Sequence, residues 1–490
     1  MNSSLILEIA VTILALALLL ADLWTPRNLK RYLGYAAAAG TGLILLGSFA
    51  WNPDPGSSAF DTMYVLDPLA LYFKRFFLFA GVAVLLIGVE FSDRFVTGVT
   101  EFSVLVLFAL CGMLFAASAN DFILVFVSLE LITVTFYVLN SFQRTRLVSL
   151  EAGVKYLILG ALSTAFTVYG IALIFGTTGH TNFQQIAALT GNMTNKPVFI
   201  LGLLMVLAGL GFKIAAFPFQ MWAPDVYQGS PTPATAFLAV GSKAAGIVLL
   251  LRVLFIAVPA VAVDWTKLLM VMSGITILYG NLCALPQRNL KRLLGYSSIA
   301  QAGYLLLGVT AMSAAGNSSV LFYLTGYLFT VLAAFMVIAI VTRGVDGEDV
   351  SALAGLHQRS PLLATALTLS MVSLAGIPPL AGFFGKFLLL KSVLERGAIQ
   401  PACYWLVGVA LVGIVISFYY YLGVVRAIFW SENSGSNERI SISWPSRAVL
   451  LVCIGGMLYL GLMPNRVVNA SVQAVQVLKP TSMPRAVVRF

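Results

Sequence analysis

Histidine is almost missing from this chain. His180 and His357 are the only two in 490 residues, and both fall outside the apolar segments, so no histidine pair can ligate haem within a membrane. The four cysteines, Cys111, Cys283, Cys403 and Cys453, lie far apart inside apolar runs, without CxxC spacing or a Cys/His cluster. That excludes a disulfide framework and a zinc site alike. No GxxxxGK[ST] loop is present, and no GxGxxG turn opens a helix. The chain therefore brings neither nucleotide hydrolysis nor a redox centre of its own. Charge is scarce too: 10% of residues are charged, against about 25% in a soluble domain.

What fills the chain instead is hydrocarbon. Hydrophobic residues make up 60% of it, and the mean hydropathy is +0.94. Nearly every window of about 20 residues is apolar enough to cross a bilayer. Strand-period alternation over roughly ten-residue segments is absent, which excludes a membrane barrel. The sequence predicts an all-α polytopic membrane protein with about fourteen transmembrane helices, near 4–24, 31–51, 69–90, 101–118, 121–141, 150–176, 197–221, 233–256, 265–284, 293–312, 318–341, 361–391, 402–429 and 446–463. The first run lacks a basic leader and is too long for a signal core, so it is read as an uncleaved span. Connectors are short, which favours one transmembrane bundle over residues 1–490.

The net charge of +10 does not point to nucleic acid, because the basic residues gather in loops between apolar runs. They act as topology signals. Arg27, Lys30 and Arg31 occupy the first loop, Arg144 and Arg146 the fifth, Arg288, Lys291 and Arg292 the ninth, and Arg426, Arg439 and Arg447 the thirteenth. The second loop carries Asp54 and Asp61 and no basic residue. Odd loops are thus expected in the cytoplasm and both termini on the periplasmic side of a bacterial inner membrane. The tail, with Arg466, Lys479, Arg485 and Arg489, weighs mildly against this.

Two spans are interrupted. Pro218 breaks span 7, and Gly376-Ile377-Pro378-Pro379 breaks span 12, since proline removes a helix hydrogen bond. A lysine accompanies each break, Lys213 before the first and Lys386 after the second. The two breaks lie five helices apart, an odd number, so a repeat of that size must be inverted in the membrane. Paired broken helices in inverted halves mark the transport site of many transporters. The expected division is helices 1–3 in 1–100, a first repeat of helices 4–8 in 101–256, an inverted second repeat of helices 9–13 in 265–429, and helix 14 with a tail in 446–490.

An ionisable residue in hydrocarbon costs about 2.5–3.5 kcal/mol or more and needs a reason. Glu130 and Lys243 lie near the middle of spans 5 and 8, Lys213 and Lys386 beside the breaks, and Lys155 nearer the cytoplasmic end of span 6. Snorkelling is the plain reading for Lys74, Lys267 and Lys391 and an open alternative for Lys155. Glu8 and Asp22 are read as interfacial, and Asp225 as a turn residue. Glu130 is too short to snorkel, although a static Glu130–Lys213 staple stays open. Desolvation favours a neutral amine and a nearby carboxylate favours the ammonium. A lysine poised between the two can take and release a proton. Lysines on three helices, joined by water past the broken turns, would form a proton wire along the membrane plane. Tyr137, Ser242, Ser297 and Ser298 are weaker candidates for holding that water.

With these residues in place, the chain resembles the antiporter-like membrane subunits of proton-pumping NADH:quinone oxidoreductase, respiratory complex I, and within them the N type (chain 2 type). The likeness covers most of the chain. It is most specific in FKIAAFPFQMWAPDVYQGSPTPATAFLAVGSKAAG, LPQRNLKRLLGYSSIAQAGYLLLG and LAGIPPLAGFFGKFLLL, and the VKYL–YGIALIFG stretch favours the N type. The resemblance implies that Glu130 and Lys213 form a coupling pair, that Lys243 is a central relay and Lys386 a terminal one, and that Lys155 is a further lysine on the path. It implies no cofactor in this chain, with FMN, iron–sulfur clusters and quinone in partner subunits, and a translocase whose redox chemistry lies elsewhere. The alternatives are a subunit of a multisubunit cation/proton antiporter or of an ion-pumping membrane hydrogenase, a purely structural subunit, and a small-solute transporter.

Overall fold

In the computed structural model, residues 3–51, 56–95, 98–191, 195–344, 347–431 and 439–478 are described. Asp54, Lys479, Arg485, Arg489 and the side chain of Arg27 lie outside them. The first six crossings are α1 (Ile6–Trp24), α2 (Lys30–Ala50), α3 (Pro68–Glu90), α4 (Val99–Ala117), α5 (Phe122–Asn140) and α6 (Leu147–Thr178). A short hairpin, β1 (Ser57–Ala59) with β2 (Tyr64–Leu66), precedes α3 where the sequence suggested only a polar connector. After the short α7 (Phe183–Leu189) come α8 (Lys196–Ile214) and α9 (Trp222–Gly229), then α10 (Thr232–Phe237) and α11 (Lys243–Arg252). The second half holds α12 (Ala262–Ala284), α13 (Leu290–Thr310), α14 (Ala314–Val341), a single turn α15 (Leu356–Arg359), α16 (Pro361–Ala375), α17 (Ala381–Gly397) and α18 (Ala402–Trp430). α19 (Trp444–Leu462) and the amphipathic α20 (Asn465–Ala474) close the described chain.

Thirteen of these segments are long and apolar enough to span a membrane, and α16 with α17 supplies the fourteenth crossing that the sequence predicts. Caps set several of the starts. The Asp67 carboxylate accepts from Ala70 N at 2.7 Å, Asp121 from Ile123 N at 2.8 Å, and the Asn289 side chain from Arg292 N at 3.0 Å. Each satisfies a backbone donor that the first turn leaves free. Small residues let the helices approach closely: a Cβ on Gly170 of α6 would stand 2.6 Å from the carbonyl oxygen of Gly202 of α8.

Both expected breaks are present and built alike. α8 ends at Ala215 (φ +60°) and α16 at Gly376 (φ +88°), and a cis peptide bond follows each, Phe217–Pro218 and Pro378–Pro379. In both, the left-handed residue lies three positions before the second residue of the cis bond. The carbonyls freed at the first break are partly recovered: Trp222 Nε1 donates to Phe212 O at 2.9 Å. Phe217 N donates to Thr276 Oγ1 of α12 at 3.0 Å. Span 8 departs from expectation. It is not one uniform helix, because π-turns at Leu238–Ser242 and Val253–Ala257 bracket α11.

Burial identifies the middle of the bundle. The most apolar stretches of Thr232–Ala257 and of α13 are each 94% buried, against 28% for α1, α2 and α19. The helix of Lys243 is therefore central, and the N- and C-terminal spans are peripheral.

Candidate functional site

Lys213, Lys243 and Lys386 are 4%, 2% and 3% exposed. Among the described residues no carboxylate forms an ion pair with any of them, whereas the buried Lys74, Arg252 and Lys291 pair with Glu8, Asp67 and Glu348. The three lysines meet only neutral oxygens. Among the described residues none of the three has a bonded counter-charge, although Glu130 lines the same cavity as Lys213.

Lys213 Nζ donates to Thr133 Oγ1 at 2.8 Å. Thr133 lies three residues beyond Glu130 on α5, so the two share a helix face. The expected Glu130–Lys213 ion pair is not formed. Glu130, half-buried, instead accepts from Thr164 Oγ1 of α6 at 2.6 Å. The carboxylate leans toward α6 and the amine toward the next turn of α5. Both line one small cavity of about 20 Å³, with Ser163, Thr164 and Thr167, roughly enough for one water molecule. The pair is thus separated by hydroxyls.

Lys243 begins α11, immediately after the first π-turn, a feature frequent at functional sites. Its Nζ donates to the backbone oxygen and the hydroxyl of Ser298 on α13 and stands 5.7 Å from the centre of the Tyr327 ring. Tyr227 Oη is 2.8 Å from the Ser298 hydroxyl and Tyr327 donates to it at 3.1 Å. Toward Lys213 the packing is close: a Cβ on Gly246 would be 3.3 Å from Lys213 Cβ. Tyr156, packed on Phe212 and Trp222, turns its buried hydroxyl toward that of Ser242, beside Lys243.

From Ser298 a polar thread runs on toward the second break. Ser297 Oγ and Tyr421 Oη are 2.5 Å apart, Gln301 Nε2 donates to Tyr421 Oη at 3.2 Å, and Tyr323 donates to Gln301 Oε1. Lys386 lies 5.0 Å from the centre of the Tyr304 ring. Its amine donates to Leu374 O at 2.7 Å and Ala375 O at 3.1 Å. These are terminal carbonyls of α16, where the helix dipole is negative. Of the proposed hydroxyls, Ser297 and Ser298 join the thread, while Tyr137 stacks on Tyr156. Tyr227, Tyr421, Gln301 and Tyr323 were not singled out from the sequence. The spacing Ser297, Gln301, Tyr304 on one helix was the available signal, since i, i+4 and i+7 share a face.

Three assignments need correction or restriction. Lys155 does not join the row: 41% exposed, it pairs with Glu151 at 2.6 Å and Asp225 at 2.7 Å. Asp225 is more than a turn residue, because Arg292 also bonds it at 2.5 Å. Burial opposes its charge, but the bonds from Lys155 and Arg292 prevail and hold this connector carboxyl below its ordinary pKa. Lys74 does not snorkel: it is buried and paired at 2.6 Å with Glu8, which lies in the first turn of α1 and is itself buried. Lys267 and Lys391 are exposed as expected. Among the described residues no group of three or more His, Cys, Asp or Glu is placed to hold a metal ion.

The family described as NADH:quinone oxidoreductase/Mrp antiporter, TM, matches residues 119–417, which include both breaks and all three buried lysines. The chain belongs to that family. Within it, NADH-quinone oxidoreductase subunit N of Desulforamulus reducens is 39% identical, over 96% of this chain and 97% of its own length. Subunit N of Desulfitobacterium hafniense is 42% identical over 88% and 90%. A chain of respiratory complex I from Thermus thermophilus superposes with a TM-score of 0.80 at 33% identity, covering 95% of this chain and 99% of that one. A chain of the Mrp complex from Dietzia sp. reaches 0.85 at 22% identity, covering 98% of both, and shares the fold. The protein is accordingly a multi-pass membrane subunit of the antiporter-like class.

Proposed function

We propose that this chain is the proton-translocating membrane subunit N of an NADH:quinone oxidoreductase, working beside other membrane and peripheral subunits. The observation that carries the reading is the row of buried lysines without carboxylate partners, placed on and between two broken helices. A row of charges without ion-pair partners is costly as mere scaffolding, whereas an amine free to lose its charge is what a proton carrier requires. The full-length identity to subunit N chains supports the redox complex over a free-standing antiporter, for which the likeness is one of fold.

In this reading Glu130 and Lys213 form the coupling end. Lys213 passes a proton toward Lys243, the Ser297–Tyr421–Gln301 thread carries the polar path onward, and Lys386 releases a proton at the far end. Lys155 acts from the surface through Asp225. The matched breaks support the division into inverted repeats over 101–256 and 265–429, between helices 1–3 and helix 14. FMN, iron–sulfur clusters and quinone belong to partner subunits, whose redox change reaches this chain mechanically or electrostatically. The Lys/Arg-rich odd loops support placement in a bacterial inner membrane with both termini periplasmic.

The test is Lys213→Ala and Glu130→Ala in the assembled complex, with protons counted per electron pair. Both are expected to pump poorly while quinone reduction in uncoupled vesicles persists. Normal pumping in both ends the assignment. Copurification with flavin and iron–sulfur proteins separates the oxidoreductase from an antiporter, which would carry neither.

A further inference from the structure

A second group of buried charges lies away from the lysine row, against the β1–β2 hairpin. Glu8 of α1 and Lys74 of α3 are 2% and 0% exposed, with Nζ 2.6 Å from Oε1. Lys74 also donates to Tyr64 Oη, and the Tyr64 hydroxyl reaches Glu8 Oε1 at 3.0 Å and Ser4 O at 2.8 Å. Cys111 of α4 faces the same carboxylate, and Thr12, which donates to the Glu8 backbone oxygen at 2.8 Å, lies 3.4 Å from the Cys111 sulfur. Beside this group, Arg252 holds both oxygens of Asp67, at 2.8 and 2.9 Å.

The carboxylates of this protein are not equally finished. Glu90 has Arg343 on Oε1 and both Ser443 and Ser446 on Oε2, and Asp67 is likewise bonded at both oxygens. Glu8 is not. Among the described residues its Oε2 is buried without a hydrogen-bond partner, as is the nearby Ser4 hydroxyl; Asp22 also leaves one oxygen open, but at 16% exposure against 2% for Glu8. A carboxylate that serves only as a staple is best closed on all sides, because an unpaired buried oxygen costs about 1–3 kcal/mol. The open oxygen suits a group that takes up a proton.

We propose that Glu8, with Lys74 and Tyr64, is a second proton-binding site of this subunit, on the hairpin face of the bundle and outside the Lys213–Lys243–Lys386 row. In the step one proton leaves water and an O–H bond forms at Glu8 Oε2, so the ion pair becomes a carboxylic acid beside an ammonium. Release reverses it. A cavity of about 210 Å³ under α20, lined by Asp67, Tyr72, Arg75 and Gln473, reaches the neighbouring Asp67–Arg252 pair. Arg252 is bonded to Asp67 and to the Ala117 carbonyl. It sits at the end of α11 opposite Lys243 and ties the charge at this site to the helix of the central lysine. The inference rests on the proton-translocating reading above.

The experiment uses the assembled complex in vesicles. Glu8→Gln is expected to assemble and reduce quinone at the normal rate, with a lowered proton-to-electron ratio and a flattened dependence of that ratio on pH. An unchanged ratio and pH profile overturns the proposal. If Glu8→Gln does not assemble, Glu8→Gln combined with Lys74→Met removes both charges at once, and a normal ratio there overturns the proposal. On the unaltered complex, dicyclohexylcarbodiimide, which attacks protonated carboxyls in apolar surroundings, is expected to modify Glu8 increasingly as pH falls and to spare Glu90. Absence of a Glu8 adduct, read by peptide mass spectrometry, also overturns it. Lys213→Ala measured alongside separates the two readings. If Lys213→Ala pumps normally the lysine row itself fails, whereas loss in Lys213→Ala with none in Glu8→Gln removes this site alone.

Discussion

The two broken helices share a backbone device and differ in the chemistry they hold. At the first, Lys213 precedes the break and shares a cavity with a carboxylate, Glu130, with hydroxyls between them. At the second, Lys386 follows the break, and its amine lies on the terminal carbonyls of α16. A full charge is the natural partner in one case and a helix end, worth about half a charge, in the other. Because one negative partner can itself change protonation and the other cannot, the first end is suited to receive a signal and the second to give up a proton. The backbone differs in one detail. The first break places alanine in the left-handed region and the second glycine.

The sharpest way to break the comparison is to remove the group both ends must reach. Lys243→Met should abolish proton movement in vesicles while leaving the helix packed, since methionine fills the stem's volume. Residual flux near the normal rate would mean that the two ends work independently. Next comes Lys386→Arg. Arginine keeps the positive charge on the α16 carbonyls but cannot release a proton, so the complex should assemble and proton output per electron fall several-fold. Full output would make Lys386 a structural cap only.

Thr133→Val is a smaller step. It removes the hydrogen bond that Lys213 makes among the described residues, at a cost of about 1–3 kcal/mol, and should let the amine turn toward Glu130. Thermal unfolding and pumping should both decline moderately. The backbone detail is tested by exchanging residues. Gly376→Ala places a Cβ 3.0 Å from Lys386 Cδ at φ +88°, and left-handed backbone costs a non-glycine residue about 1–2 kcal/mol. Ala215→Gly removes such a cost and should leave the melting temperature level or slightly raised. The smallest effect is expected from Asp225→Asn, which loosens the connector and should lower the pumped ratio only slightly. Because folding lowers the Asp225 pKa, its contribution is complete above the unfolded value of about 3.9 and is lost only as pH falls through the folded one. Stability measured between neutral pH and mild acid should show no step from this group.

The fourteen crossings were legible because each is a long apolar run bounded by polar turns, and the two breaks because proline and glycine declare themselves. The buried lysines were legible for the same reason, a charge standing alone in hydrocarbon. What stayed hidden depends on partners distant in the chain. Lys74 read as a snorkelling residue because its partner, Glu8, is 66 positions away. Glu130 and Lys213 read as an ion pair because charge complementarity is visible in a sequence and the direction of a rotamer is not. The π-turns around α11 left no trace, since a surplus residue in a helix changes no composition. The hairpin before α3 was missed because three-residue strands are too short for a period to show.

That surplus residue has a mechanical consequence. The ten residues from Lys243 to Arg252 form a regular rod with slack wound into either end. Moving the slack past Lys243 would swivel the amine by about 100° without lengthening the helix or shifting its neighbours. A spindle of this kind could swing the central lysine off Ser298 and back while the surrounding bundle stands still.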